Sequence, residues 1–122
     1  MEPIKHLHLL VRAEVKKSPT SAWYVGVWLK ELVGKLNMKI CSGPHTEYVD
    51  MPGNRGATGV VIIETSHCAI HVWDEPDPQL IQLDVYTCGE LDKSVILDML
   101  KRFEPTRIDY KYLDRETGFN EL

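Results

Sequence analysis

The chain has 122 residues, of which 43% are hydrophobic and 26% charged, and its formal net charge is −4. This length and composition predict one soluble domain over residues 1–122 with a modest apolar core. The basic residues are dispersed, which argues against a nucleic-acid-binding protein. No apolar run approaches the roughly 20 residues of a membrane span, and the N-terminus has no signal-peptide pattern.

The first half of the chain predicts a strand, a helix and a long loop. Alternating apolar residues indicate a strand at residues 5–15, and Ser and Thr caps precede a helix at residues 22–37. After a short strand at residues 38–41, the Gly, Pro and Asn content of residues 42–57 indicates a loop. Because loops of this length without a function are uncommon in compact domains, we expect this loop to line a functional site. The expected apolar face of the helix comprises Trp23, Val27, Leu29, Leu32, Val33 and Leu36.

The second half predicts three strands, a helix capped near Asp92 and a final strand. The strands are expected at residues 58–64, 66–73, 80–87 and 106–113, with the helix at residues 92–103. Two prolines in residues 74–78 require a turn. The order βαβββαβ predicts an α+β fold, a two-layer sandwich whose mainly antiparallel sheet carries two helices on one face.

The three cysteines do not indicate a disulfide framework, because their number is odd and no CxxC spacing occurs. This usage predicts a reducing, cytoplasmic environment. The cysteines and histidines also lack the spacing of zinc ligands, so no metal site is predicted. Cys68 is interpreted as a small buried apolar residue, and His67 as more readily structural than catalytic.

Residues 62–73, IIETSHCAIHVW, combine a hydroxyl pair, a thiol and two histidines in one strand. A hairpin centred on Asp77 places Ser66 opposite Cys88, with side chains on one face roughly 5 Å apart. His71 lies five residues beyond Ser66, so it points to the other face and up to roughly 16 Å away. A histidine that acts on Ser66 therefore needs a sharp bend or a second chain in a symmetric dimer.

The segments TGVVIIETSHCAIHVWDE and LDVYTCGELD resemble the bacterial and archaeal S-adenosylmethionine decarboxylase proenzymes, which are pyruvoyl-dependent. The resemblance is clearest over residues 56–92 and implies a self-processing chain. Ser66 matches the serine that attacks the carbonyl of Thr65. An ester forms and β-elimination breaks it, which separates residues 1–65 from residues 66–122. The new N-terminus then loses ammonia and becomes a pyruvoyl group derived from Ser66. In the family, the pyruvoyl carbonyl condenses with a substrate amine and withdraws electrons as carbon dioxide departs.

The resemblance also implies roles for four other residues. His71 matches the processing histidine, which suits imidazole because it exchanges protons near neutral pH. Cys88 matches the cysteine that protonates the decarboxylated carbon. Thr58 stands where the family has a serine that binds the processing intermediate. Glu75 matches a carboxylate associated with the ribose of the substrate.

Two positions depart from the family pattern. Thr65 replaces the glutamate that usually precedes the cleavage-site serine, and Pro52 aligns with an aromatic residue that stacks on adenine. Tyr48 is a candidate to replace that ring, and Trp73 is a candidate pocket wall.

The resemblance implies an S-adenosylmethionine decarboxylase that supplies the aminopropyl donor for spermidine. We expect a homodimer with two shared sites, in which Ser66 and Cys88 come from one chain and Thr58 and His71 from its partner. Two alternatives stay open: a pyruvoyl-dependent decarboxylase of ornithine or arginine, and an unprocessed, non-catalytic homologue.

Overall fold

The structure is a computed structural model that describes residues 4–122. Within this range, seven strands form one antiparallel sheet in the order β2-β3-β4-β5-β1-β6-β7. The helices are α1 (Ala22–Lys35) and α2 (Lys93–Leu100), and a 3₁₀ turn follows at Lys101–Phe103. The strands are β1 (Leu7–Val15), β2 (Ile40–Val49), β3 (Gly56–Ile63), β4 (Ser66–Trp73), β5 (Gln79–Thr87), β6 (Pro105–Asp114) and β7 (Asn120–Glu121).

One face of the sheet is covered by the helices, and the core lies between the two layers. Alternate residues of β1, from Leu7 to Val15, are buried on this face, as the period of two in a strand requires. Helix α1 packs against β2 and β3, and the Trp28 indole donates a hydrogen bond to the Met99 carbonyl at 3.3 Å, which joins α1 to α2. The predicted two-layer α+β architecture is confirmed.

Both helices begin at the predicted kind of residue. Ser21 Oγ accepts a hydrogen bond from the Tyr24 amide at 3.1 Å, and the Asp92 carboxylate accepts one from the Ser94 amide at 3.0 Å. Bonds from Ser94 lower the pKa of Asp92. Such caps satisfy amides that have no partner within the helix.

The prediction of a loop at residues 42–57 is wrong. Strand β2 occupies Ile40–Val49, and only the segment before β3 is loop. The register of β2 against β3 shifts between Ser42 and His45, around Gly43 and Pro44. Because β2 is an edge strand, it tolerates a proline and a bulge that a central strand would exclude. The two-residue strand β7 carried no signal strong enough to predict.

The predicted apolar face of α1 is wrong in part. Trp23 and Val27 are 76% and 40% exposed, respectively. The buried stripe instead comprises Val25, Trp28, Leu29, Leu32 and Val33. These positions follow the three- and four-residue spacing of an amphipathic helix that packs along one side only. No helix in the described range is long and apolar enough to cross a membrane.

Candidate active site

The Thr65–Ser66 bond lies at the tight turn between β3 and β4. Ile63 pairs with Ser66 across this turn, and the Glu64 amide donates to the Lys39 carbonyl at 2.9 Å. Ser66 has a φ of 154°, which residues with a side chain rarely adopt. Such a backbone costs on the order of 1–3 kcal/mol. The strain is therefore stored at the residue where cleavage is predicted.

The Thr65 carbonyl accepts a hydrogen bond from the Cys88 amide at 2.9 Å. The predicted pairing of Ser66 with Cys88 is wrong by one residue, because Ser66 pairs with Thr87. The β4–β5 turn is centred between Pro76 and Asp77 rather than on Asp77. Cys88 nevertheless stays next to the predicted cleavage site, since its amide bonds the carbonyl that Ser66 is predicted to attack.

The backbone of Cys88 is fixed on both sides. Its carbonyl accepts a hydrogen bond from the Lys5 amide at 3.0 Å, and the hydroxyl of the preceding residue, the buried Thr87, accepts one from the Gly89 amide at 3.0 Å. The Thr65 hydroxyl is buried without a partner among the described residues. The Thr65 carbonyl, its unpaired hydroxyl and the half-buried Cys88 thus lie at the same end of the sheet.

Thr58 and His71 lie together on the face of the sheet that the helices leave open. They pair across β3 and β4, and Thr58 Oγ1 lies 3.2 Å from His71 Nδ1. The ring of His71 also lies 6.2 Å from that of Trp73. These residues form a second group, which does not contain Ser66.

The two groups are too far apart to act together within one chain. Strand β4 pairs in unbroken register with β3 and β5. At about 3.3 Å per residue, Ser66 and His71 are separated by roughly 16 Å. No hydrogen bond joins them in the part of the chain that the structure describes. The strand therefore has no bend that would bring this histidine to the serine.

The candidate substrate-binding residues lie beyond Trp73, at the opposite end of β4 from Ser66. The Tyr48 hydroxyl donates to Asp74 Oδ2 at 2.7 Å, and this bond raises the pKa of Tyr48. The Trp73 indole donates to Asn54 Oδ1 at 2.7 Å. The loop between β2 and β3 is therefore tied to the turn between β4 and β5.

Glu75 belongs to the same polar cluster. Its carboxylate accepts hydrogen bonds from Arg55 and from the Gly53 amide, the latter at 3.1 Å. Arg55 also bonds Asp50 at 2.6 Å, and its two carboxylate partners raise the pKa of the guanidinium. Sequence reasoning did not select Arg55. A cleft of about 400 Å³ is lined by Gly53, Trp73, Glu75, Pro76 and Leu80.

Cys68 is part of the core, as the sequence indicates. It is fully buried, and desolvation followed by the charge of Asp84 raises the pKa of its thiol to about 12. A thiol with so little thiolate is a poor nucleophile and a poor metal ligand.

The family model described as S-adenosylmethionine decarboxylase matches residues 16–116. The chain belongs to the S-adenosylmethionine decarboxylase family. The resemblance of the two quoted segments to this family is thereby confirmed. The match covers β3, β4, β5 and the turns between them, so the Thr65–Ser66 turn lies in the matched region.

Individual relatives agree with this assignment. The S-adenosylmethionine decarboxylase proenzyme of Persephonella marina is 44% identical over 64 residues, which cover 51% of this chain and 47% of the relative. That of Archaeoglobus fulgidus is 39% identical over 62 residues, covering 49% and 54%. The chain thus spans about half the length of the curated relatives it matches. The crystal structure of the adenosylmethionine decarboxylase from Aquifex aeolicus is similar with a TM-score of 0.73 and 28% identity, covering 97% of this chain and 94% of that one.

Proposed function

We propose that this chain cleaves itself at Thr65–Ser66 and acts as a pyruvoyl-dependent S-adenosylmethionine decarboxylase that supplies the aminopropyl donor for spermidine. One observation carries the proposal: the Thr65 carbonyl is held by the Cys88 amide at 2.9 Å beside a serine with a strained backbone. Membership of the family supports the same activity. A cytoplasmic location stays a prediction.

The geometry suits an attack of Ser66 Oγ on the Thr65 carbonyl. The Cys88 amide withdraws electrons from that carbonyl and stabilises the negative charge that develops on its oxygen. Breaking the amide bond relieves the strained φ of Ser66. The ester that results leaves Ser66 with a free amine, and removal of its α-proton expels the Thr65 carboxylate and leaves dehydroalanine at position 66. This residue tautomerises to an imine, and water hydrolyses the imine to the pyruvoyl carbonyl with release of ammonia. A serine is required because its hydroxyl on Cβ both attacks and leaves.

The residues at this end of the sheet fit a pyruvoyl group formed from Ser66. When present, the group supplies a carbonyl that accepts electrons from the substrate as carbon dioxide leaves. Cys88 is held next to that position by its backbone, so its thiol is suited to return a proton to the substrate carbon. The thiol serves turnover more than processing, whereas the amide of the same residue acts in processing.

A two-fold dimer would complete each site. Leu10, Val60 and Ile62 are between 37% and 47% exposed on the open face of the sheet. So small a domain gains stability by covering such a surface. A partner packed on this face in the opposite direction would bring its Thr58 and His71 towards Ser66, and its Trp73 and Glu75 with them. His71 of the partner subunit would then remove the α-proton of Ser66.

The far end of β4 offers suitable contacts for the nucleoside part of the substrate. Glu75 can accept hydrogen bonds from ribose hydroxyls, and Arg55 and Gly53 fix its carboxylate in place. The Trp73 ring, on the open face, is available to the adenine and to the cationic sulfonium, since aromatic faces attract cations. Tyr48 pairs with the buried Ala57 and adds a ring on the other face at the same end of the sheet. Tyr48 would take the role that Pro52 cannot fill.

The test is the intact mass of the purified chain, followed by a substrate panel. We expect two fragments, residues 1–65 and 66–122, in the parent and one uncut chain in Ser66→Ala. Carbon dioxide release is then measured with S-adenosylmethionine, ornithine and arginine. An uncut parent after long incubation would indicate a non-catalytic homologue, and release from ornithine or arginine alone would change the substrate.

A further inference from the structure

A chain of polar side chains leads from Ser66 across the open face of the sheet. Ser66 Oγ lies 3.5 Å from His67 Nδ1, and His67 Nε2 lies 3.7 Å from Asp84 Oδ2. The other oxygen of Asp84 contacts His8 Nε2, and His8 Nδ1 lies 3.1 Å from the Arg115 guanidinium. Three strands, β1, β4 and β5, and the segment after β6 thus contribute side chains to a network that ends at the predicted nucleophile.

The hydrogen-bond chemistry of this network fixes where the protons lie. A guanidinium only donates, so His8 Nδ1 accepts from Arg115, and the proton of His8 is on Nε2. His8 therefore donates to Asp84 Oδ1, and the free oxygen Oδ2, 3.7 Å from His67 Nε2, favours a proton on that nitrogen. With its proton on Nε2, His67 presents the lone pair of Nδ1 to the hydroxyl of Ser66. This arrangement orients a neutral imidazole as a base.

Tyr86 holds the rings in this arrangement. It pairs with His67 on β4 and with His8 on β1, and its ring centroid lies 5.8 Å and 5.2 Å from theirs. The Arg115 guanidinium lies 4.5 Å above the same ring, and the Tyr86 hydroxyl lies 3.4 Å from His6 Nδ1. The His8 side chain is only 12% exposed, so the end of the network remote from Ser66 is packed.

We propose that His67 is the catalytic base of the first processing step and that Asp84, His8 and Arg115 are positioning residues for it. The proposal rests on the proposed self-cleavage and deepens it. Ser66 Oγ bonds to the Thr65 carbonyl carbon while its proton passes to His67 Nδ1. The Thr65–Ser66 C–N bond then breaks, and the same proton passes to the departing amine of Ser66. No external reactant is needed.

The distances agree with a network that strengthens during the reaction. Catalytic hydrogen bonds are often long before the reacting groups are fully engaged. Once His67 takes the proton it becomes a cation, and its contact with Asp84 becomes a charge-assisted hydrogen bond, about twice as strong as a neutral one. His71 cannot replace His67 in this step within the same chain, because it lies roughly 16 Å along β4. The two histidines therefore serve successive steps.

The first test compares cleavage of the parent chain, His67→Ala, and His45→Ala as a matched control. His45 is exposed on the edge strand β2 and bonds only Ser42 among the described residues. We expect His67→Ala to cleave about 10²–10⁴-fold more slowly, the usual effect of losing a general base, and His45→Ala to cleave like the parent. Added imidazole should restore part of the rate. Cleavage of His67→Ala at the parental rate would overturn the proposal.

Hydroxylamine identifies the step that is lost, because it splits esters and leaves peptide bonds intact. The His71→Ala chain should accumulate the ester and be split by hydroxylamine, whereas His67→Ala should not be split. If the slowly cleaving His67→Ala chain accumulates the ester, His67 acts after the ester has formed and the proposal is wrong. Failure of the parent to cleave would instead refute the self-cleavage itself.

A second variant separates chemistry from folding. Asp84→Asn keeps the volume and one oxygen acceptor but removes the charge that stabilises the His67 cation. We expect cleavage to slow by about 10-fold while the midpoint of thermal unfolding stays unchanged. As in His67→Ala, the ester should not accumulate. If Asp84→Asn has a lower midpoint of thermal unfolding but cleaves at the parental rate, the network stabilises the fold and does not act in cleavage.

Discussion

The two ends of β4 are built in different ways. At the Ser66 end, the backbone is strained and the key contact is the amide of Cys88 on the Thr65 carbonyl. At the Trp73 end, side chains dominate: Arg55 and the loop amide of Gly53 hold Glu75, and Asn54 holds the indole. Backbone strain and a polarised carbonyl suit bond cleavage, whereas fixed carboxylates and rings suit recognition of a ligand.

Under the proposed function, one chain does not hold a complete site. The two ends are separated by the length of β4, so the proposal requires two chains packed in opposite directions to bring chemistry and recognition together.

The largest effect is expected from mixing two inactive chains. Ser66→Ala lacks the nucleophile, and His71→Ala lacks the proposed proton acceptor for elimination. A heterodimer of the two has one site with the serine of one chain and the histidine of the other. We expect the His71→Ala chain to be cut in the mixture and neither chain to be cut alone, as read from intact masses.

The control is a heterodimer isolated through two different tags, so that mixing is verified before cleavage is scored. An uncut His71→Ala chain in such a heterodimer would show that Ser66 and His71 do not act across the interface. The open face of the sheet would then have another role.

Cys88→Ala should separate the two roles of one residue. The alanine retains the backbone amide that bonds the Thr65 carbonyl, so we expect processing to continue. The thiol is lost, so decarboxylation should fall by about 10²–10⁴-fold. Cys88→Pro removes the amide instead and should block processing. Near-normal turnover of Cys88→Ala, measured by carbon dioxide release, would remove the thiol from the mechanism.

The sequence predicted most of the strands because alternation of apolar residues is direct evidence of a half-buried strand. It failed at β2, where Gly43 and Pro44 resemble loop residues but lie at an edge bulge. It also placed Ser66 opposite Cys88, since the centre of a turn with two prolines cannot be located to half a residue from spacing.

The site was predictable only where chemistry follows a linear motif. Ser66, His71 and Cys88 stand in quoted segments that resemble the family. Asp84 stands in the second segment as well, but the motif alone does not connect it to a histidine, and Arg115 lies outside both segments. These two residues reach His67 and His8 through contacts between residues far apart in the chain. The acidic residue on the open face of β5 was the available signal.

A matched pair of glycines compares the rigidity of the two ends. A Cβ on Gly56, near Trp73, would lie 1.7 Å from the Val72 carbonyl oxygen, whereas a Cβ on Gly89, near Thr65, would lie no closer than 3.6 Å to its neighbours. Gly56→Ala should therefore lower the free energy of unfolding by about 3 kcal/mol or more, since backbone must move. Gly89→Ala should change it by less than about 1 kcal/mol. Equal decreases in the free energy of unfolding, measured with urea, would show that the backbone is packed equally closely at the two ends.

The smallest effect is expected at Tyr48, where one side chain has a structural and a proposed binding role. Tyr48→Phe removes the hydrogen bond to Asp74, and because this contact is exposed we expect little change in the free energy of unfolding. The ring remains, so KM for S-adenosylmethionine should stay close to that of the parent. Tyr48→Ala removes the ring and should raise KM by about 10-fold, in line with the 1–3 kcal/mol that stacking of a base on an aromatic ring contributes. An equal rise of KM in both variants would assign the effect to the Asp74 contact, and no rise in either would leave Trp73 as the ring that receives the adenine.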